Sequence, residues 1–170
     1  MALLSFPNPV NEISARVVAA GVMVMSTATM ALGLRWATAV IAYGFVARVL
    51  TGPRLSPLGQ LATRVVTPRL PFAPRPVAGP PKRFAQAMGA AFSLAALALS
   101  LVGDWTAAEV LLGLLAAAAF LEAALGLCLG CRVFAVLIRA GVVPPEVCEK
   151  CNDIGPGRLG PQATPFSLEG

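Results

Sequence analysis

Four long stretches with almost no charge dominate this sequence and limit what it can fold into. Of its 170 residues, 57% are hydrophobic and only 12% are charged, whereas a soluble domain carries about 25% charged residues. Because about 20 apolar residues suffice for one membrane-spanning helix, the chain has room for four. The sequence therefore predicts an all-α membrane protein, a four-helix transmembrane bundle, in one domain over residues 1–154.

The predicted spans lie at about residues 17–34, 36–50, 84–103 and 106–130. A Pro-rich connection over residues 51–83 follows the second span, and within it Ser56 and Pro57 are typical of a helix start. We expect a short interfacial helix there and another after the fourth span, beginning at a break at Gly126 or Gly130 and ending near Gly141. The first residues are expected to be retained rather than cleaved as a signal peptide, and residues 155–170 to form an extended tail.

The basic residues predict the orientation of these spans. Six lysines and arginines and no acidic residue lie in the connection 51–83, whereas the connection 103–109 carries only Asp104 and Glu109. The positive-inside rule then places the first connection and both termini on the cytoplasmic side of the cell membrane. The net charge of +5 is explained by topology and anionic lipid, and not by nucleic acid, because no aromatic residues interleave the arginines.

The four cysteines form the most specific pattern of the sequence. They lie in two pairs, Cys128 with Cys131 and Cys148 with Cys151, and sixteen residues separate the pairs. This spacing is that of a four-thiolate zinc site, so all four are candidate metal ligands in a subsite over residues 128–151. The predicted location is a reducing compartment, where permanent disulfides are not expected. The chain has no histidine, which excludes a histidine-ligated haem.

Thiol chemistry is the alternative to zinc. A dithiol can cycle with its disulfide or carry a persulfide. Cys128 and Cys131 are expected at the C-terminal end of the fourth span, where the helix dipole disfavours a thiolate, and this favours structural metal. Cys148 and Cys151, beyond that helix, are freer to meet a soluble partner and are candidate catalytic residues. The residues alone leave both alternatives open.

Glu122 is the third catalytic candidate because it lies about sixteen residues into the fourth predicted span. A carboxylate within a membrane is a functional candidate, and Arg48, near the inner end of the second span, is its expected partner. The pair would either fix helix packing or relay protons. Its separation from the cysteines along the sequence predicts that Glu122 shares no helical face with either sulfur of the first pair.

Three segments of the chain resemble a known family. They are Leu-Glu-Ala-Ala-Leu-Gly-Leu-Cys-Leu-Gly-Cys at residues 121–131, Pro-Pro-Lys-Arg-Phe-Ala-Gln at 80–86 and Gly-Pro-Arg-Leu-Ser-Pro-Leu-Gly at 52–59. They resemble an uncharacterised bacterial integral-membrane family, domain of unknown function 4395, over most of residues 8–154. The resemblance implies no established reaction, although members of the family look like neighbours of thioredoxin-like and sulfurtransferase proteins.

Two functions are therefore expected. One is a membrane-anchored thiol-redox or sulfur-transfer partner of a soluble thioredoxin-like or rhodanese-like protein. The other is a non-catalytic accessory subunit of a larger membrane complex, with a structural zinc on the four cysteines. A transporter is disfavoured, since the spans offer few polar groups to line a path.

Overall fold

A computed structural model describes residues 10–71, 73 and 75–144, and in this part of the chain the fold is helical, as the sequence predicts. The α-helices are α1 (Glu12–Ala31), α2 (Ala37–Thr51), α3 (Pro57–Gln60), α4 (Gly79–Val102), α5 (Trp105–Leu125) and α6 (Leu129–Arg139). A π-helical segment (Leu61–Val66) and a 3-10 turn (Thr67–Arg69) continue from α3. A short antiparallel pair of strands, β1 (Val10–Asn11) and β2 (Pro76–Val77), was not predicted.

Local sequence explains where the long helices begin and end. The Asn11 side chain accepts a hydrogen bond from the backbone N–H of Ile13 at 3.0 Å and caps α1. The Asp104 side chain accepts a hydrogen bond from the backbone N–H of Ala107 at 3.1 Å and caps α5. Short polar side chains satisfy the free N–H groups of a first turn in this way. Gly103, with a φ of 93°, ends α4 in the left-handed conformation, which glycine adopts without steric cost.

Four apolar helices pack together. Helix α1 contacts α5, α5 contacts α4, and α4 contacts α2. Helices α1, α4 and α5 are long and apolar enough to cross a membrane, whereas α2 is a shorter apolar helix of 15 residues. At 1.5 Å per residue α2 is about 22 Å long, less than the roughly 30 Å thickness of a hydrocarbon core. The part of the chain that the structure describes thus has three candidate spans, whereas the sequence predicts four.

The interior of these four helices combines small and hydroxyl-bearing side chains with a few large apolar ones, such as Ile41 and Leu112, while many large apolar side chains lie outside. Buried residues include Ser26, Thr29, Thr38, Ala42, Ser93, Ala96 and Ala108. Exposed residues include Val24, Tyr43, Leu101, Val110, Leu114 and Phe120. At Gly89 of α4, an added Cβ would overlap the ring of Phe45, so glycine leaves the space that this α2 side chain occupies. Small residues at helix contacts are typical of helices that associate within lipid.

The connection between α2 and α4 begins as predicted. The Ser56 hydroxyl accepts a hydrogen bond from the backbone N–H of Gly59 at 3.2 Å, and Pro57 occupies the first position of α3. The amphipathic helix predicted there is four residues of α-helix followed by the π-helical segment. Its predicted position on a membrane surface stays a prediction.

Candidate functional site

A break after α5 determines where the first cysteine pair lies. Helix α5 ends at Leu125, because Gly126 adopts the left-handed conformation with a φ of 68°. The chain then turns and begins α6 at Leu129, with Cys128 as its N-cap. Of the two predicted break points, Gly126 is correct, and the helix ends earlier than residue 130, where the fourth span was predicted to end.

This break reverses the expected electrostatics of the thiols. Cys128 and Cys131 were predicted at the C-terminal end of a helix, and that prediction is wrong, since both lie in the first turn of α6. The positive end of the helix dipole faces them, and this end stabilises a thiolate. The other end of α6 agrees with the prediction, because the helix ends at Arg139, two residues before Gly141, which has a φ of 73°.

Gly130, between the two cysteines, allows the first turn of α6 to touch α4. A Cβ at this position would lie 2.5 Å from both Cα and Cβ of Ala85. One turn further on, the rings of Phe84 and Phe134 are in contact, with centroids 5.4 Å apart. The cysteine pair is therefore held against the beginning of α4, close to Lys82.

Lys82 and Glu122 form a buried ion pair beside the thiols. Nζ of Lys82 lies 2.5 Å from Oε1 of Glu122, and the two side chains are only 9% and 15% exposed. The sequence assigned Lys82 to the cytoplasmic connection, but α4 begins at Gly79, five residues earlier than the predicted span. The added turn carries Lys82 into the bundle, where it faces α5.

The predicted pairing of Glu122 with Arg48 is wrong. Nε of Arg48 donates to Oε1 of Gln86 at 2.8 Å, and Nη1 donates to Oγ of Ser56 at 3.1 Å. The Arg48 guanidinium also lies 4.4 Å from the ring centroid of Phe45. Arg48 still acts on Glu122 through its charge, so the residue belongs to the same buried group without contacting the carboxylate.

Glu122 and the first cysteine pair lie on different helices, α5 and α6, so they share no helical face, as their spacing predicts, yet they lie near each other. The turn at Gly126 folds the chain back, and both thiols come within electrostatic range of Glu122 and Lys82. Cys128 is 8% exposed and Cys131 is half-buried, and neither forms a disulfide. A free dithiol, an ammonium and a carboxylate thus share one partly desolvated site.

The two thiols of this site are not equivalent. A hydrogen bond from the Cys131 thiol lowers the pKa of Cys128, and the Lys82 ammonium acts in the same direction, against the effects of burial and of Glu122. The same hydrogen bond raises the pKa of Cys131, which must keep its proton to donate. Cys128 is therefore the thiol that ionises first.

The charges beside the dithiol oppose one another. The Lys82 ammonium lowers the pKa of Cys128, whereas the Glu122 carboxylate raises it. The Arg48 guanidinium is held by Gln86 and Ser56. The hydrogen bond from Cys131, and not the summed charge, is therefore the main cause of the lowered pKa of Cys128.

A cavity of about 270 Å³ adjoins Cys128 and lies among α1, α2, α4 and α5. Its walls are mainly apolar and include Val22, Phe45, Met88, Phe92 and Leu115. Its polar groups are contributed by Gln86, Glu122 and Cys128. Cys128 of the dithiol therefore borders a space suited to an apolar molecule.

The second cysteine pair, Cys148 and Cys151, lies outside the described residues. Within the ranges that the structure describes, no group of three or more histidine, cysteine, aspartate or glutamate side chains could hold a metal ion. Cys128 and Cys131 supply only half of the predicted zinc ligands, and the four-cysteine site stays a prediction.

Sequence reasoning missed Lys82 and Gln86. A signal for Lys82 was available, because Gly79 is followed by Pro80 and Pro81, and proline is favoured in the first turn of a helix. Read as a helix start, these prolines put Lys82 in the first turn of α4. No comparable signal marks Gln86, whose role depends on the packing of α2 against α4.

The fold and the site together define a class of protein, a helical protein with three candidate membrane spans and a dithiol at a helix N-terminus. A family model described as Domain of unknown function (DUF4395) matches residues 10–139. The chain belongs to this family, which confirms the resemblance seen in the sequence. Comparison with curated proteins finds no match, and comparison with solved structures finds none either.

Proposed function

We propose that this chain is a membrane-anchored thiol-redox or sulfur-transfer protein whose reacting group is the dithiol of Cys128 and Cys131. The observation that carries the proposal is the position of both cysteines in the first turn of α6, beside the buried Lys82. Helix N-termini and neighbouring cations are the features that activate cysteines. Cys128 is the attacking thiol, and Cys131 resolves the bond that Cys128 forms.

Burial separates this dithiol from soluble proteins. Cys128 is only 8% exposed, and a large partner cannot bring a disulfide against it. We assign that exchange to Cys148 and Cys151, which would react with a soluble thioredoxin-like or rhodanese-like protein. The second pair then passes electrons or sulfur to the first by thiol–disulfide exchange.

The proposal includes a four-helix transmembrane bundle, with α2 as the shortest span and both termini in the cytoplasm. The outward-facing apolar side chains support it. So does the position of Trp105 at the end of the bundle opposite Lys82, 5.5 Å from the Arg35 guanidinium, because tryptophan is enriched at membrane interfaces. The exposed basic residues of the connection 51–83, all but Lys82, then face the cytoplasm.

Labelling in intact cells tests this topology. A membrane-impermeant alkylating reagent should not label any of the four native cysteines but should label a Thr106→Cys variant, because Thr106 is exposed at the opposite end. Labelling of Cys148 or Cys151 from outside would contradict the orientation.

The alternative function is a non-catalytic accessory subunit of a larger membrane complex, with zinc on Cys128, Cys131, Cys148 and Cys151. The spacing of the two cysteine pairs favours this function, since each Cys-x-x-Cys turn can supply two of the four ligands of a tetrahedral zinc site. If it holds, replacement of any one cysteine releases the metal, because the four thiolates share one ion.

Mixed-disulfide formation distinguishes the two functions. In a Cys148→Ser/Cys151→Ser background, a Cys131→Ser variant retains Cys128 and a Cys128→Ser variant retains Cys131. With glutathione disulfide near pH 7, the chain that retains Cys128 should react faster, because a serine hydroxyl at position 131 can still donate a hydrogen bond to the Cys128 thiolate and keep its pKa low. Stoichiometric zinc in the purified native chain, lost alike from all four single serine variants, would refute the redox proposal.

A further inference from the structure

We propose that the cavity beside Cys128 binds the ring of a lipid-soluble quinone, and that this quinone is the electron acceptor for the Cys128–Cys131 dithiol. This inference rests on the proposed thiol-redox function and names its second substrate. A dithiol that is oxidised repeatedly needs an acceptor of two electrons, and the cavity is the space that adjoins the buried thiol.

The size and walls of the cavity select an apolar ring. Its volume of about 270 Å³ is near the lower end, roughly 300 Å³, of pockets that bind small molecules. Two wall residues, Leu114 and Leu129, are 54% and 42% exposed, so the cavity reaches the outer surface of the bundle. In the proposed topology the Leu114 side faces lipid, and an isoprenoid tail can leave the cavity there.

The polar groups of the cavity suit a quinone carbonyl and exclude a nucleotide cofactor. Because Oε1 of Gln86 accepts the hydrogen bond from Arg48, the amide nitrogen of Gln86 is the atom left to donate to a ligand oxygen. A phosphate group would find few donors there, because the walls are mainly apolar and the polar groups are Gln86, Glu122 and Cys128. A nicotinamide or flavin nucleotide carries phosphates and is also larger than this volume allows.

The reaction requires only the two thiols and the quinone. The Cys128 thiolate adds to a ring carbon and forms a C–S bond, and the ring takes up the electron pair. The sulfur of Cys131 then attacks Sγ of Cys128, so that the S–S bond forms and the C–S bond breaks. The dithiol loses two electrons, the quinone gains them, and the two protons from the thiols end on the oxygens of the quinol.

Quinol formation by the full chain tests the inference. The Cys148→Ser/Cys151→Ser chain is reconstituted in nanodiscs, reduced, freed of reductant under anaerobic conditions and mixed with a decyl-substituted benzoquinone. We expect one quinol per chain, with a disulfide between Cys128 and Cys131 detected by mass spectrometry. A further Cys128→Ser substitution should abolish quinol formation, and unchanged formation would overturn the inference.

Two α5 variants examine the cavity itself. Ala118 borders the cavity, whereas its exposed neighbour Ala117 does not. Ala118→Phe should lower the rate of quinone reduction about tenfold or more, a loss of at least about 1.4 kcal/mol in binding, and Ala117→Phe should leave it unchanged. Equal rates for these two variants, both folded by circular dichroism, would contradict binding in this cavity.

A comparison of oxidants separates failure of the inference from failure of the proposed function. In the same chain, the decyl-substituted benzoquinone should react faster than a sulfonated, water-soluble benzoquinone, because the apolar walls disfavour the anion. Diamide, a small water-soluble thiol oxidant, should form the disulfide in both Ala118→Phe and Ala117→Phe. A disulfide with diamide but no reaction with the decyl quinone would overturn the inference alone. No disulfide with any oxidant would overturn the thiol-redox proposal as well.

Discussion

Neutralising one member of the Lys82–Glu122 pair should destabilise the protein more than neutralising both. The ion pair has an N–O distance of 2.5 Å, and its side chains are 9% and 15% exposed. Removal of one partner from a buried pair costs about 3–5 kcal/mol, because the other charge is left without compensation. Since a little water reaches both side chains, we expect Glu122→Gln to lower the free energy of unfolding by about 3 kcal/mol.

The double variant Lys82→Met/Glu122→Gln removes both charges. We expect it to be only about 1 kcal/mol less stable than the native chain, because replacing a buried pair by neutral groups is often close to neutral. The second substitution therefore restores about 2 kcal/mol, a coupling within the range measured for residues in contact. If the two residues were independent, their losses in the free energy of unfolding would add, and the double variant would be the least stable. A double variant more stable than Glu122→Gln therefore indicates that the two charges interact.

Reversible unfolding in mixed micelles, with an increasing fraction of sodium dodecyl sulfate and detection by circular dichroism, measures these free energies. Arg48→Met combined with Glu122→Gln is the matched control, because Arg48 donates its hydrogen bonds to Gln86 and Ser56 rather than to Glu122. This control should show no comparable recovery. A Lys82→Met/Glu122→Gln chain less stable than either single variant would refute the pairing.

Three further predictions concern the surroundings of the dithiol. The rate of Cys128 alkylation by iodoacetamide should reach half its maximum at a lower pH than for an ordinary cysteine. Lys82→Met should move this midpoint to higher pH, since the Lys82 ammonium favours the thiolate. An unchanged midpoint would contradict an effect of Lys82 on Cys128. Gly130→Ala should destabilise the chain by about 1–3 kcal/mol through overpacking, because the new Cβ would lie 2.5 Å from Ala85; unfolding in mixed micelles measures this. Arg16→Gln should increase hydrogen exchange at the C-terminal end of α5, whose carbonyls Arg16 caps, without shortening α1.

Much of the fold follows from the sequence because the strongest signals are local. Uncharged stretches of helical length predict α1, α2, α4 and α5, and glycine and proline predict the breaks between them. The ends were less accurate, since helices α1 and α4 each begin about five residues before the predicted spans. Charge was used to mark the end of a span, but Arg16 and Lys82 are helical residues whose side chains find partners across the bundle.

The site was predictable only in part, because it depends on contacts between residues far apart in the chain. Cys128, Cys131 and Glu122 were identified from residue type and position. Their arrangement in space was not predicted, because the spacing argument assumed one continuous helix, whereas the chain turns at Gly126. The partner of Glu122 is separated from it by forty positions, and only the register of α4 against α5 determines whether Lys82 or Arg48 reaches the carboxylate.

The position of Arg16 explains how two helix ends of opposite polarity can adjoin one dithiol. The C-terminal carbonyls of α5 carry partial negative charge and lie a few residues before Cys128, where they would oppose a thiolate. The Arg16 guanidinium donates to the carbonyl oxygens of Ala123 and Ala124 at 3.0 and 2.9 Å, and this satisfies two of the free acceptors of α5 with a cation. The opposing end is thereby compensated, while the first turn of α6 remains directed at the thiols. A thiolate at Cys128, which the proposed redox reaction requires, is thereby favoured.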